Sequence, residues 1–219
     1  MGRAKFEHSL NQLHIEIIDM GSIVEAAIED AVKAFTNHDL ELCEAIIDND
    51  ETVDQMEKTI VSKCLWLIAR EQPIASDLRN ITTALKLITD MERIGDHAVD
   101  IAELTMRLDA RNTFADSSHI LDMATIAIEM VRDSVTAFVN YDLKLAKEIE
   151  EKDDEVDRYF NLIKHELVEV FDKQPQHLDN AIDFLLIAKY LERIADHAVN
   201  ICEWIHFSQT GEHKDTLLF

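Results

Sequence analysis

The chain has 219 residues, with 44 Asp and Glu against 21 Lys and Arg and a formal net charge of −23. So acidic a balance argues against a nucleic-acid partner, which needs clustered Lys and Arg to neutralise phosphate, and against unassisted docking on anionic lipid. Four glycines and two prolines, amid abundant Ala, Leu, Ile, Glu and Asp, leave little turn chemistry for strands and predict an all-helical fold.

Phe6, Leu10, Leu13, Ile17, Met20 and Val24 recur every three or four residues, which predicts a long amphipathic first helix reaching about Phe35. Asn37 and Asp39 interrupt it. A second helix is expected from Leu40 to about Arg70, with Asp39 as its N-cap and Pro73 preventing simple continuation. A third begins near Asp77 and runs to about Leu108. The polar, cap-rich segment Arg111 to Ser118 reads as a linker. Further helices are expected near 119 to 140, 142 to 173 with Pro175 after it, and 178 to 208. Helices of about 30 residues would each be about 45 Å long. The tail after Thr210 is expected either to fray or to make an end contact.

The second half of this list repeats the first. MERIGDHAVDIAE at 91 to 103 returns as LERIADHAVNICE at 191 to 203, with nine of thirteen positions identical. AFTNHDLEL from Ala34 matches AFVNYDLKL from Ala137 at an offset of 103, and DNDETVD from Asp48 is echoed by EKDDEVD from Glu151 at the same offset. The offset falls to 102 at Gln72-Pro73 and Gln174-Pro175 and then to 100, which places small deletions in the intervening turn. Repetition of this kind marks two copies of one supersecondary unit. The expected architecture is two tandem antiparallel three-helix bundles, over residues 1–112 and 117–209, followed by a tail over 210–219.

Each repeated segment carries acids one helical turn apart, Glu92 with Asp96 and Glu192 with Asp196, so both side chains of a pair leave the same face. Like charges at this spacing cost a few tenths of a kcal/mol in an isolated helix, and Arg93 and Arg193 are expected on a different face, compensating poorly. The preceding helices show the same spacing at Asp50 with Asp54 and Asp153 with Asp157. If second and third helices are antiparallel neighbours, four carboxylates converge in each unit. Such oxygen-rich surroundings suit Mg²⁺, Mn²⁺, Fe or Ca²⁺. Asp100 and Asn200 continue the stripe, with Glu103 and Glu203 beyond, so a multinuclear cluster is conceivable. The alternative is an ordinary solvated acidic face. His97 and His197 follow each second acid as ligands, as groups that hold a ligand in place, or as packing between helices. Cys43, Cys64 and Cys202 are odd in number and widely spaced, which suits reduced packing residues.

ERIGDHAVDIAE and YLERIADHAVNICEW, together with the paired DxxVD segments, resemble the PhoU family of phosphate-signalling regulators over nearly the whole chain. The resemblance implies multinuclear metal clusters held through E(D)xxxD motifs, and so ligand roles for Asp50, Asp54, Glu92, Asp96, Asp153, Asp157, Glu192 and Asp196. Asp100 and Asn200 are further candidates, where the copies differ and an amide is the weaker ligand. The metal, whether Fe, Zn, Mn or Mg, is not fixed by the residues. The resemblance also implies repression of the phosphate-starvation response through the ATPase subunit of the phosphate transporter and a sensor histidine kinase, in a homodimer.

Two other function classes compete. A carboxylate-bridged di-metal oxidase needs two Glu-x-x-His motifs, yet only Glu203 and His206 have that spacing and Met106 stands where His206 has its equivalent. The chain is therefore read as non-enzymatic. A metal-independent helical adaptor would use the acidic faces for contact with a basic partner. The absence of a signal-like N-terminus or of a run of about 20 apolar residues points to the cytoplasm.

Overall fold

The structure, a computed structural model, describes residues 3–108, 118–173, 178–213 and 216–217. Six helices follow one another: α1 (Arg3–Asn37), α2 (Leu40–Glu71), α3 (Ala75–Arg107), α4 (Ser118–Asn140), α5 (Leu143–Lys173) and α6 (Leu178–Thr210). The all-helical, duplicated architecture is as the sequence predicts. α3 starts two residues before Asp77, and α6 runs to Thr210 rather than residue 208. The linker read at Arg111 to Ser118 lies outside the described residues except for Ser118, as does Pro175. Among the described residues no helix is long and apolar enough to cross a membrane.

Helices α1 and α2 are separated by only two residues, and no glycine is used there. His38 takes a left-handed conformation with φ 50°. Its N–H donates to the Phe35 carbonyl at 3.4 Å and that of Asp39 donates to Ala34 at 2.9 Å, which closes the C-terminus of α1. Asp39 then caps α2, its carboxylate accepting from the Leu42 N–H at 3.1 Å. The second copy repeats this device, with Tyr141 at φ 54° and Asp142 accepting from Lys144 and Leu145 at 3.0 Å.

Side-chain pairs tie neighbouring helices together, and in the second unit two of them show α4 and α5 to be antiparallel, because partners ascend one helix while descending the other. In the first unit Lys63 pairs with Glu16 at 2.7 Å, and the Thr89 hydroxyl donates to Glu57 at 3.3 Å. In the second, His119 pairs with Glu166 at 2.9 Å and Lys152 with Asp133 at 3.5 Å. Glu16 and Lys63 occupy the positions equivalent to His119 and Glu166, so the same cross-helix contact is built twice with its carboxylate on the opposite helix.

The two units share one core. α3 and α6 lie antiparallel in the most extensive helix contact of the molecule, with α1 against α4 beside them. Met91, Ile94, Ala98 and Ile101 of α3 and Leu191, Ile194, Ala198 and Ile201 of α6 are all buried. Across the seam Thr83 donates to the Trp204 carbonyl and Arg79 to that of Ser208, each at 3.1 Å. Cys43, Cys64 and Cys202 are buried and free, and burial pushes the Cys64 thiol up to about 12. The tail adds a small feature outside the helices: Glu212–His213 pairs antiparallel with Thr216–Leu217, and the His213 ring stacks on Trp204 at 4.0 Å. It makes an end contact.

Two glycines meet different surroundings. A Cβ added at Gly95 would lie 3.4 Å from Val53, an ordinary contact, whereas one at Gly21 would come within 3.0 Å of Val135 and 3.3 Å of Met91. Gly95→Ala is expected to raise stability by about 1 kcal/mol through helix propensity, about 2–4 °C in melting temperature. Gly21→Ala is expected to gain nothing, since the α1–α4 approach must open to admit it. Thermal melts of the two variants against the parent check both.

Candidate functional site

In the first unit the register of α2 on α3 brings the two acid pairs together. Val53 sits against Gly95, and each is flanked by its helix's acids, Asp50 and Asp54 on α2, Glu92 and Asp96 on α3. All four are half-buried. Burial raises the proton affinity of Asp50, and the charges of Asp96 and Asp54 raise it further. Glu92 is raised by burial first, then by Asp96, against the lowering effect of Arg93, with Glu57 and Asp54 adding to the rise. The cross-helix convergence expected from the spacing is present as an electrostatic coupling.

One expectation about this cluster is corrected. Arg93 does compensate it, with Nη1 3.1 Å from the Asp96 carboxylate and Nε 3.5 Å from that of Glu92. The face assigned to its Cα matters less than the reach of its side chain, which folds back along the helix surface. Lys58 likewise pairs with Asp54 at 3.1 Å.

The second unit keeps more of its repulsion. Burial, then Asp196, Asp157 and Asp154, push the Asp153 carboxyl up to about 6. Lys189 pairs with Glu192, but Arg193 makes no ion pair among the described residues, as the sequence suggested. Asp157 and Asp196 are exposed. Thus Asp153, Asp157 and Asp196 form one repelling group, with Glu192 tied to its own helix by Lys189.

Asp100 and Asn200 have their partners elsewhere, at the α3–α6 contact. His97 and His197 meet there with ring centroids 5.6 Å apart. His97 Nδ1 lies 3.1 Å from Asp100, and its ring packs on Tyr190 at 5.2 Å. His197 Nδ1 lies 2.7 Å from Asp90, to which Asn200 also donates at 3.4 Å. Burial lowers the proton affinity of His97, against the raising effect of Asp100. Both histidines therefore serve the helix contact. Asp90 escaped the sequence reading because its equivalent is Tyr190; comparing the repeats marks shared residues and passes over an acid present in one copy alone. Glu203 and His206 lie near Glu150, whose proton affinity is raised by burial and then by Glu203; the first unit has Ile47 and Met106 at the places of Glu150 and His206.

Among the described residues no three His, Cys, Asp or Glu side chains stand close enough together to hold a metal ion in their present rotamers. The donor set itself fits a hard cation: carboxylates on facing helices, with Asp50, Glu92 and Asp153 driven toward protonation by burial and by one another. Metal ligation would require rotation of these side chains and release of Arg93, Lys58 and Lys189.

Residues 17–105 and 120–205 each match the PhoU domain, and the chain belongs to that family. It is 39% identical over 216 residues to the phosphate-specific transport system accessory protein PhoU homolog of Clostridium acetobutylicum, covering 98% of this chain and 99% of that protein. The protein of the same description from Streptococcus pneumoniae is 30% identical over 213 residues, covering 97% and 99%. Among solved structures, PhoU from Pseudomonas aeruginosa superposes with a TM-score of 0.89 at 31% identity, covering 94% of this chain and all of that one. The phosphate transport system regulatory protein PhoU from Streptococcus pneumoniae gives 0.90 at 29% identity, with coverage of 96% and 100%.

The raised Asp153 carboxyl has a consequence for stability. Its folded value of about 6 exceeds the ordinary 3.8, so its favourable contribution is complete below the lower value and lost as pH rises through the higher one. At pH 7 the ionised group opposes folding. Asp153→Asn is expected to stabilise metal-free protein at about pH 7 by about 1 kcal/mol after allowance for solvent screening, about 2–4 °C, and to change little at about pH 4. Calorimetric melts at the two pH values check this.

Proposed function

We propose that this chain is a non-enzymatic, metal-binding regulator of phosphate uptake and phosphate-starvation signalling, working in the cytoplasm by contact with the ATPase subunit of a phosphate transporter and a sensor histidine kinase, and itself homodimeric. The phosphate assignment is supported by membership of the PhoU domain family and by relatives described as phosphate-specific transport system accessory proteins. The observation that carries the metal assignment is the pair of equivalent acid clusters whose members raise one another's proton affinity. Carboxylates that repel at neutral pH are relieved by a cation.

Asp50, Asp54, Glu92 and Asp96 would hold metal in the first unit, and Asp153, Asp157, Glu192 and Asp196 in the second, with Mg, Mn, Fe and Zn as candidates. Asp100 and Asn200 would join only by giving up their contacts with His97 and Asp90. A bound cation supplies positive charge; these residues bind it and brace the helix pairs. A metal-independent adaptor is favoured by one observation, the pairing of Arg93, Lys58 and Lys189 with cluster acids, which offsets part of the repulsion without any ion.

Metal analysis of protein purified without chelator separates the two readings. A metal present at a hundredfold over its Kd stabilises by about 2.7 kcal/mol, which corresponds to a rise of about 5–10 °C in melting temperature. Replacing Glu92 and Asp96 by Asn is expected to reduce metal content and this rise together. Metal-free protein with a melting temperature indifferent to Mn²⁺, Fe and Zn²⁺ would instead support the adaptor. For regulation, a strain lacking the gene is expected to express phosphate-uptake genes when phosphate is plentiful, and normal repression in that strain would sink the assignment.

A further inference from the structure

The duplication supplies an internal control for every surface, and one place where the copies part is a groove between α1 and α2 beside the first acid cluster. It has a volume of about 310 Å³, and its apolar lining includes Ile23, Ala27, Leu42, Ile46, Val53 and Val99. Ala26, Ala45 and Asn49 are short residues on its walls, and Asp30 and Asp50 stand at its rim.

At the equivalent place in the second unit the groove is closed from within. Lys152, the counterpart of Asn49, crosses from α5 to α4 and pairs with Glu129 at 3.3 Å and Asp133 at 3.5 Å. Glu129 and Asp133 are the counterparts of Ala26 and Asp30, and Met130 replaces Ala27 with a larger, buried side chain. One unit therefore fills this space with an aliphatic stem ending in a cation. The other keeps the apolar lining and the acid but lacks the lysine. Asp30 has no ion pair among the described residues.

We infer that the groove of the first unit is a docking site for a basic amphipathic helix of a partner protein, whose Lys or Arg takes the place that Lys152 holds in the second unit while neighbouring aliphatic side chains cover the apolar lining. Charge complementarity selects this occupant. Asp30 and Asp50 at the rim favour a cation, the apolar lining favours aliphatic groups, and a helix offers both one turn apart. A second copy of this chain, with 44 acids against 21 Lys and Arg, offers fewer cations to this rim, so the homodimer is assigned to another face. The inference shares Asp50 with the metal reading, but the variants below leave all the cluster carboxylates in place, so metal content and peptide affinity are read separately.

The test uses the full chain and a fluorescent Leu/Lys amphipathic helical peptide of about 14 residues, with a Leu/Glu version as control, followed by anisotropy at about 0.15 M salt. Ala26→Glu combined with Asn49→Lys rebuilds the bridge of the second unit without changing net charge. Expected are one peptide per chain, no binding of the Leu/Glu version, and a loss of affinity of about tenfold or more in the double variant. Ala27→Met, which fills the groove with the second unit's own residue, is expected to weaken binding likewise and serves if the double variant melts early. Affinity within about twofold of the parent in both variants would mean that the peptide finds the acidic surface at large, and would overturn the proposal. So would peptide binding that is unchanged while sedimentation shows the double variant converting a dimer to monomer, which would make a second copy the occupant.

Discussion

The antiparallel contact of α3 with α6 is the constraint on which the rest depends. A three-helix unit of long helices has one apolar stripe per helix and can close on itself, yet here the third helix of each unit is apolar on two sides. Met91, Ile94, Ala98 and Ile101 lie fully or almost fully buried, and so do their counterparts in α6. At about 1.5–3 kcal/mol for each large aliphatic side chain buried, exposing such a face would cost an amount comparable to a domain's whole net stability of about 5–15 kcal/mol. The two copies must pair through it. Once they do, the polar arc left on α3 and α6 is narrow and turns toward α2 and α5, which confines Glu92, Asp96, Glu192 and Asp196 to the flanks where the second helices bring their own acids.

The same contact explains why the histidines follow the acids so closely in sequence and yet serve another purpose. One residue along a helix turns the side chain by about 100°, from the flank into the seam. His97 and His197 meet there across the internal two-fold relation, each held by an acid, but by acids of different origin: Asp100 from its own helix and Asp90 from the opposite one. A polar pair in an apolar seam needs its hydrogen bonds satisfied, and these acids satisfy one ring nitrogen on each side.

How much of this was legible follows from which interactions repeat. Helix extents, the Asp39 cap and the convergence of Asp50 and Asp54 with Glu92 and Asp96 all rest on spacing within one unit, which the chain states twice. The antiparallel setting of α3 on α6, and with it Asp90, depends on how two different copies face each other, and periodicity marks an apolar face without naming what covers it. The left-handed turns at His38 and Tyr141 were hidden for another reason: composition points to Gly at such positions, and here helix-closing hydrogen bonds hold ordinary residues there. Arg93 departs from the expectation set by its Cα angle because its side chain is long enough to reach round the helix to Glu92 and Asp96.

Duplication fixes two equivalent frames and then leaves their side chains free to differ, and the differences here share a direction. In the first unit the acid cluster is partly neutralised by Arg93 and Lys58 while the adjoining α1–α2 groove stays open. In the second, Lys189 pairs with Glu192, Arg193 makes no ion pair among the described residues, and Lys152 crosses the groove. Both clusters thus carry cations, Arg93 and Lys58 in the first copy and Lys189 in the second, whereas among the described residues a lysine crosses the groove in the second copy alone. Because the two units distribute their cations differently, the copies present different surfaces to an added ion or to a basic partner. The second unit presents the less compensated acid cluster, and the first presents the open apolar groove with Asp30, which has no ion pair among the described residues, so a single chain offers two distinct acidic surfaces built from one repeated fold.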